Sequence, residues 1–133
     1  MTKASVCMAT YNGAKYIKEQ IDSILNQEFK ENKDIELELI ISDDGSTDDT
    51  LKIVEIYNDP RIKIFHHLNK PNVKYNKAAF CCTQNFGHAM SKATGDYIFL
   101  SDQDDIWYPH KMDKTLSLLK SVNGGGWRLL LLK

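Results

Sequence analysis

The chain has 133 residues, of which 42% are hydrophobic and 26% charged, with a formal net charge of −1. That length holds one ordinary soluble domain, and a near-neutral balance gives no whole-surface attraction for nucleic acid or anionic lipid. The three cysteines show no C-x-x-C spacing, so neither a disulfide framework nor a zinc site is indicated.

In chain order, Ser5-Val6-Cys7-Met8 predicts a short apolar strand, broken by Tyr11-Asn12-Gly13. Ile17, Ile21, Ile24 and Leu25 fall at i, i+4, i+7 and i+8, the stripe of an amphipathic helix. Glu36 to Ile41 predicts a second strand, alternating and then fully apolar, and Asp43-Asp44-Gly45 turns out of it. Ser46-Thr47-Asp48-Asp49 has the form of a capping box ahead of a helix carrying Leu51, Val54 and Tyr57, which Asn58-Asp59-Pro60 ends. Arg61 to Phe65 predicts a third strand whose lysine marks a sheet edge. A polar connection from Leu68 to Lys77 leads to a helix over Ala78 to Lys92, stopped by Ala93-Thr94-Gly95. Tyr97 to Leu100 predicts a fourth, buried strand, and Pro109 opens a helix with Met112, Leu116 and Leu119 on one face. Residues 1–122 thus read as one domain, and 123–133, with three glycines and four leucines, as a flexible or non-native-looking tail. On this reading the chain is truncated.

Strand and helix alternate throughout, which predicts an α/β fold with a mostly parallel sheet and flanking helices. Ligands of such sheets sit beyond the carboxyl ends of the strands. Three polar loops leave those ends: Thr10 to Gly13, Ser42 to Ser46, and Ser101-Asp102-Gln103-Asp104-Asp105. Crowded carboxylates repel one another unless a cation lies among them, and oxygen ligands suit Mg²⁺ or Mn²⁺. An aromatic ring at Tyr11 can stack on a base, and a carboxylate of Asp43-Asp44, fixed at a strand end, can accept a pyrimidine N3–H. From Pro60 to Gly95 there is no acidic residue, but there are Arg61, Lys63, Lys70, Lys74, Lys77 and Lys92. A basic stretch facing an acidic loop would suit a diphosphate. The cysteines read as small buried hydrophobes of a reducing compartment, and His66, His67, His88 and His110 as surface or cap residues. No leader segment and no apolar run near the ~20 residues of a membrane span are apparent, so a cytoplasmic location is the default expectation.

Three segments together resemble the inverting glycosyltransferases of family 2, which have the GT-A fold. They are Ser5 to Asn12, Ile40 to Asp48, and Gly95 to Trp107 with its Asp-Gln-Asp-Asp-Ile-Trp run. The resemblance covers residues 4 to 121 and is similar to members that build bacterial surface polysaccharides. It implies a nucleotide-sugar donor, UDP- or dTDP-linked, and a glycan or lipid-linked acceptor, with no nucleic acid. Thr10, Tyr11 and Asn12 would lie at the nucleotide. Asp44 would hold the base, with Asp43 supporting the turn. Asn85 would stand near the nucleotide sugar, with Gln84 replacing an arginine common in the family. Asp102 would bind ribose or the sugar, and Asp104 would bind Mn²⁺ or Mg²⁺. Asp105 would cap a helix or act as a structural partner. Lys74 or Lys77 would neutralise the diphosphate. The catalytic base is expected beyond residue 133, so these residues would bind a donor without transferring its sugar. Peripheral association of the full-length protein with the inner face of a membrane, and self-association of the chain, complete the expectation. The competing reading is a non-catalytic nucleotide-binding module. A nucleotidyltransferase would need a glycine- and arginine-rich loop after the first strand. A dehydrogenase would need G-x-G-x-x-G there, and Ala9 to Ala14 offers one glycine.

Overall fold

Every strand the sequence predicts is present, and the two longest exceed their apolar cores. The structure is a computed structural model that describes residues 2–67, 77–122 and 128–130, with the backbone alone for 77–80, 122 and 128–130. The elements run β1 (Thr2–Thr10), α1 (Ile17–Leu25), β2 (Ile35–Asp43), α2 (Thr50–Ile56), β3 (Ile62–His66), α3 (Lys77–Lys92), β4 (Tyr97–Ser101), α4 (Lys111–Val122) and β5 (Arg128–Leu130). The β1–β2 ladder is continuous from Thr2 opposite Ile35 to Thr10 opposite Asp43, so backbone pairing carries both strands past their apolar segments. Residues 123–127 and 131–133 of the expected tail lie outside the described residues.

All pairings are parallel, and the sheet order is β3-β2-β1-β4-β5. The chain winds outward from β1 through β2 to β3, then returns to the other side of β1 with β4. The strand order therefore reverses between β1 and β4, and it is outside the carboxyl ends at such a reversal that ligands of open α/β sheets bind. Lys63 sits on β3, an edge strand, as its charge predicts.

Alternation along the strands separates two apolar layers. Ala4, Val6 and Met8 of β1, Leu37, Leu39 and Ile41 of β2, and Phe99 of β4 face Ile17, Ile21, Val54, Met112 and Leu116 of α1, α2 and α4. Cys7 and Ile40 face the opposite way, against Ala89 and Met90 of α3. Burial, with the Glu38 charge nearby, pushes the Cys7 thiol up to about 12, so it packs as a hydrophobe. Cys81 is half-buried and Cys82 exposed, which departs from the expectation that all three cysteines are interior.

Two buried carboxylates brace the frame. Glu38 accepts hydrogen bonds from Ser5 Oγ (2.6 Å), Thr94 N (2.7 Å) and Lys63 Nζ (3.0 Å). Asp113 accepts from the backbone N–H groups of Lys30 (3.0 Å), Glu31 (3.0 Å) and Asn32 (2.9 Å). Helix α4 begins at Lys111 rather than Pro109, because the Pro109 carbonyl accepts from Glu28 N at 2.8 Å. Asp105 is thus too early in the chain to cap α4. It acts on the Lys111 ammonium instead, favouring its charged form against the burial that lowers its pKa.

Candidate functional site

The carboxyl end of β1 is held by the end of β2. Thr10 Oγ donates to Asp43 Oδ1 at 2.7 Å, and both residues are buried. Asp43 also accepts from Ser46 N (2.8 Å) and Ser46 Oγ (2.6 Å), closing the turn in which Gly45 takes φ 74°. Asp43 is a scaffold carboxylate with its oxygens committed inward. Its neighbour Asp44 is half-buried at the rim, its N–H donating to the Thr10 carbonyl at 3.0 Å.

Asn12 joins the same two loops from the other side. Its φ of 47° lies in the left-handed region that asparagine tolerates. That turn lets its Oδ1 accept from Thr47 N (2.8 Å) and Asp48 N (3.3 Å), while its own N–H donates to Ser46 Oγ (2.9 Å). Gly13 N donates to Thr50 Oγ at 2.9 Å, and Ala14 N to Asp48 Oδ2 at 3.1 Å. The capping-box expectation is corrected here. Ser46 serves the turn and Asn12, the N-cap position of α2 is Asp49 with no side-chain cap bond, and Asp48 accepts from Thr50 N at 3.0 Å.

The third loop is tied in by Gln103. Tyr11 N–H donates to Gln103 Oε1, and Gln103 Nε2 donates to the Tyr11 carbonyl, both at 3.0 Å. Tyr11 itself is left 55% exposed just beyond the end of β1. Behind this loop, buried Gln20 of α1 donates to Ser101 Oγ at 2.7 Å and pins the end of β4. Asp102 and Asp104 follow that end and are both exposed. Sequence reading missed Gln103 and Gln20, since a glutamine between aspartates and one on a helix carry no signature.

On the opposite face, Asn85 is buried beneath the site rather than lining it. Its Nδ2 donates to the Thr10 carbonyl at 3.2 Å and its Oδ1 accepts from Ser42 Oγ at 2.6 Å. Because the Ser42 hydroxyl gives its proton to Asn85, its oxygen accepts from His88 Nδ1–H at 2.9 Å. His88 stacks on His67 with ring centroids 4.8 Å apart. Burial, then proximity to His67 and to the Lys92 ammonium, lowers the His88 pKa. Both histidines are half-buried and bracket the end of β2 through these contacts.

The basic segment does not converge on the acidic loop as a block. Arg61 pairs with Asp59 at 2.8 Å, Lys63 with Glu38 at 3.0 Å, and the Lys92 ammonium lies 5.4 Å from the Phe65 ring centroid. Lys70, Lys74 and the side chain of Lys77 lie outside the described residues. Among the described residues, no three histidine, cysteine or acidic side chains gather into a closed metal site. An open pair suits Mg²⁺-like ions, which are held by one or two carboxylates together with ligand phosphates. The oxygen donors of Asp102 and Asp104 fit that requirement. Among the described residues, no helix is long and apolar enough to cross a membrane.

Comparison with known proteins agrees with this geometry. The profile described as "Glycosyl transferase family 2" matches residues 5–124. The dTDP-rhamnosyl transferase RfbG of Shigella flexneri is 39% identical over 115 residues, covering 84% of this chain and 36% of that protein. EpsE of Bacillus subtilis, which carries a glycosyltransferase name, is 36% identical over 118 residues, covering 89% of this chain and 38% of the relative. The chain thus spans little more than a third of either relative. Among solved structures, S. aureus TarS 1-349 in complex with UDP superposes with a TM-score of 0.70 at 29% identity, over 90% of this chain and 32% of that one. A mannosyltransferase from Pyrobaculum calidifontis, in complex with GDP-Man and Mn²⁺, gives 0.62 at 25% identity, over 87% and 30%. The architecture is the GT-A type that the sequence resemblance implied.

Proposed function

The chain belongs to glycosyl transferase family 2, and on that footing we propose that its three strand-end loops form the donor site of an inverting, metal-dependent enzyme. The donor is a UDP- or dTDP-linked sugar, and the acceptor a glycan or lipid-linked acceptor in bacterial surface polysaccharide synthesis. One observation carries this reading: side-chain hydrogen bonds lock the ends of β1, β2 and β4 into a single rim. These bonds hold Tyr11, Asp44, Asp102 and Asp104 of three sequence-distant loops in a fixed relation, as recognition of one ligand by all of them requires.

Each residue then has a task. The Tyr11 ring stacks on the base, and the Asp44 carboxylate accepts its N3–H. Thr10, Asn12, Asp43 and Asn85 hold those two groups in place from behind, through the bonds described above. Asp102 accepts from ribose or sugar hydroxyls. Asp104, with Asp102 beside it, holds Mn²⁺ or Mg²⁺. Held there, such an ion would supply positive charge that offsets the charge of the leaving diphosphate. Sugar transfer itself, with its base and acceptor, belongs to the proposed activity of the whole protein.

The neighbour complexed with GDP-Man has the same fold, so the fold alone does not select a pyrimidine. That preference rests on Asp44 and Tyr11, and it is the testable part. Calorimetry of the 133-residue chain with UDP, dTDP, ADP and GDP, each with Mn²⁺, is the experiment. UDP or dTDP should bind about 10-fold or more tighter than the purine nucleotides, as one charge-assisted hydrogen bond allows. Equal binding of GDP and UDP would remove Asp44 from base recognition. No binding of any nucleotide would overturn the donor-site reading.

A further inference from the structure

Gln103 stands between the two exposed aspartates, yet its side chain points away from them to the neighbouring loop. Its amide brackets the Tyr11 peptide from both sides, accepting the N–H and donating to the carbonyl at 3.0 Å each. Two antiparallel contacts between planar amides fix position and rotation together, as a pair of strands does. Strand β1 ends at Thr10, so the Tyr11 peptide takes its support from the acidic loop. Gly13 is shaped for this contact: a Cβ there would fall inside the van der Waals radius of the Gln103 amide. On its other flank the same loop is bound to Thr47 and Asp48 by Asn12, and to Thr50 by Gly13. A displacement of the Asp102–Asp104 segment is therefore transmitted to the backbone that carries the Tyr11 ring.

We propose that Gln103 is a positioning residue that couples cation binding at Asp102 and Asp104 to base binding at Tyr11. The inference rests on the donor-site reading above. A cation that orders the acidic loop orders Gln103, and Gln103 fixes the Tyr11 peptide under the stacking ring. By linkage, the base tightens the cation by the same factor.

Uridine is the discriminating probe, because without phosphates it has no direct bond to the metal. Chemical-shift titrations of the 133-residue chain with uridine, in the presence and absence of Mg²⁺, give the coupling factor. In the wild type Mg²⁺ should tighten uridine about 5-fold or more, the lower end of measured couplings. Gln103→Ala keeps both carboxylates and should bring the factor close to one. Gly13→Ala, which displaces the same amide from the other side, should do likewise. The Tyr11 amide proton should exchange faster in both variants. An unchanged factor in Gln103→Ala would overturn the coupling, as would unchanged Tyr11 exchange. Wild type that binds UDP with Mn²⁺, but binds uridine equally with and without Mg²⁺, would overturn the coupling and leave the donor site standing. Wild type that binds neither would overturn both.

Discussion

Asp43 and Asp44 are neighbours in different settings, the first fully buried and the second half-buried at the rim. Asp43 serves Thr10 Oγ, Ser46 N and Ser46 Oγ. Asp43→Ala leaves the buried Thr10 Oγ and the half-buried Ser46 donors without their acceptor, so it should cost about 2–3 kcal/mol of folding stability. A urea midpoint at the wild-type value would contradict that role. Asp44→Ala removes a rim carboxylate instead. Its urea midpoint should fall by less, while the UDP-over-GDP preference flattens by roughly 10- to 150-fold, the range of one charged hydrogen bond. Two adjacent aspartates thus separate stability from selectivity, and the pair of variants measures both.

At the level of elements, the frame depends on carboxylates far from the rim. Burial pushes the Glu38 carboxyl up, but hydrogen bonds from Ser5, Thr94 and Lys63 outweigh it and hold the group at about 2. In Asp113, burial is likewise outweighed by the hydrogen bonds from Glu31, Asn32 and Lys30, which hold it at about 2. A carboxyl depressed in the fold stabilises it at pH values above its unfolded pKa, about 4. That contribution is lost as pH falls from there through the folded value. Thermal melts should therefore drop between pH ~4.5 and ~2, and Glu38→Gln or Asp113→Asn should lower the neutral-pH melting temperature and flatten that acid limb. An acid limb unchanged in both variants would show that these groups titrate alike in the folded and unfolded chain. Neither carboxylate was legible in the sequence. Glu38 alternates with leucines as an outward strand residue would, and its burial depends on Thr94 arriving from 56 positions away. Asp113 reads as an ordinary first-turn acid of α4, and nothing local shows that the turn at Lys30 to Asn32 folds onto it. The strands and helices were legible because periodicity is local. The links between their ends were not, because Gln103, Gln20 and His88 act on partners 92, 81 and 46 residues away.

For the molecule as a whole, parallel topology brings three sequence-distant loops to one edge, and side chains then make that edge a single body. The candidate rim was readable from strand order and from its polar groups, Tyr11, Asp44, Asp102 and Asp104. The internal ties that hold it were not. The central claim is that this rim binds a nucleoside diphosphate with the help of a divalent cation at Asp104. Calorimetry of UDP binding in Mn²⁺ and in chelator tests it most directly, in wild type and in Asp104→Asn, which keeps the side chain's size and removes its charge. Mn²⁺ should tighten UDP by about 10-fold or more in wild type, and Asp104→Asn should lose most of that gain while keeping its metal-free affinity. Equal affinity for UDP in Mn²⁺ and in chelator, in the wild-type chain, would contradict the account.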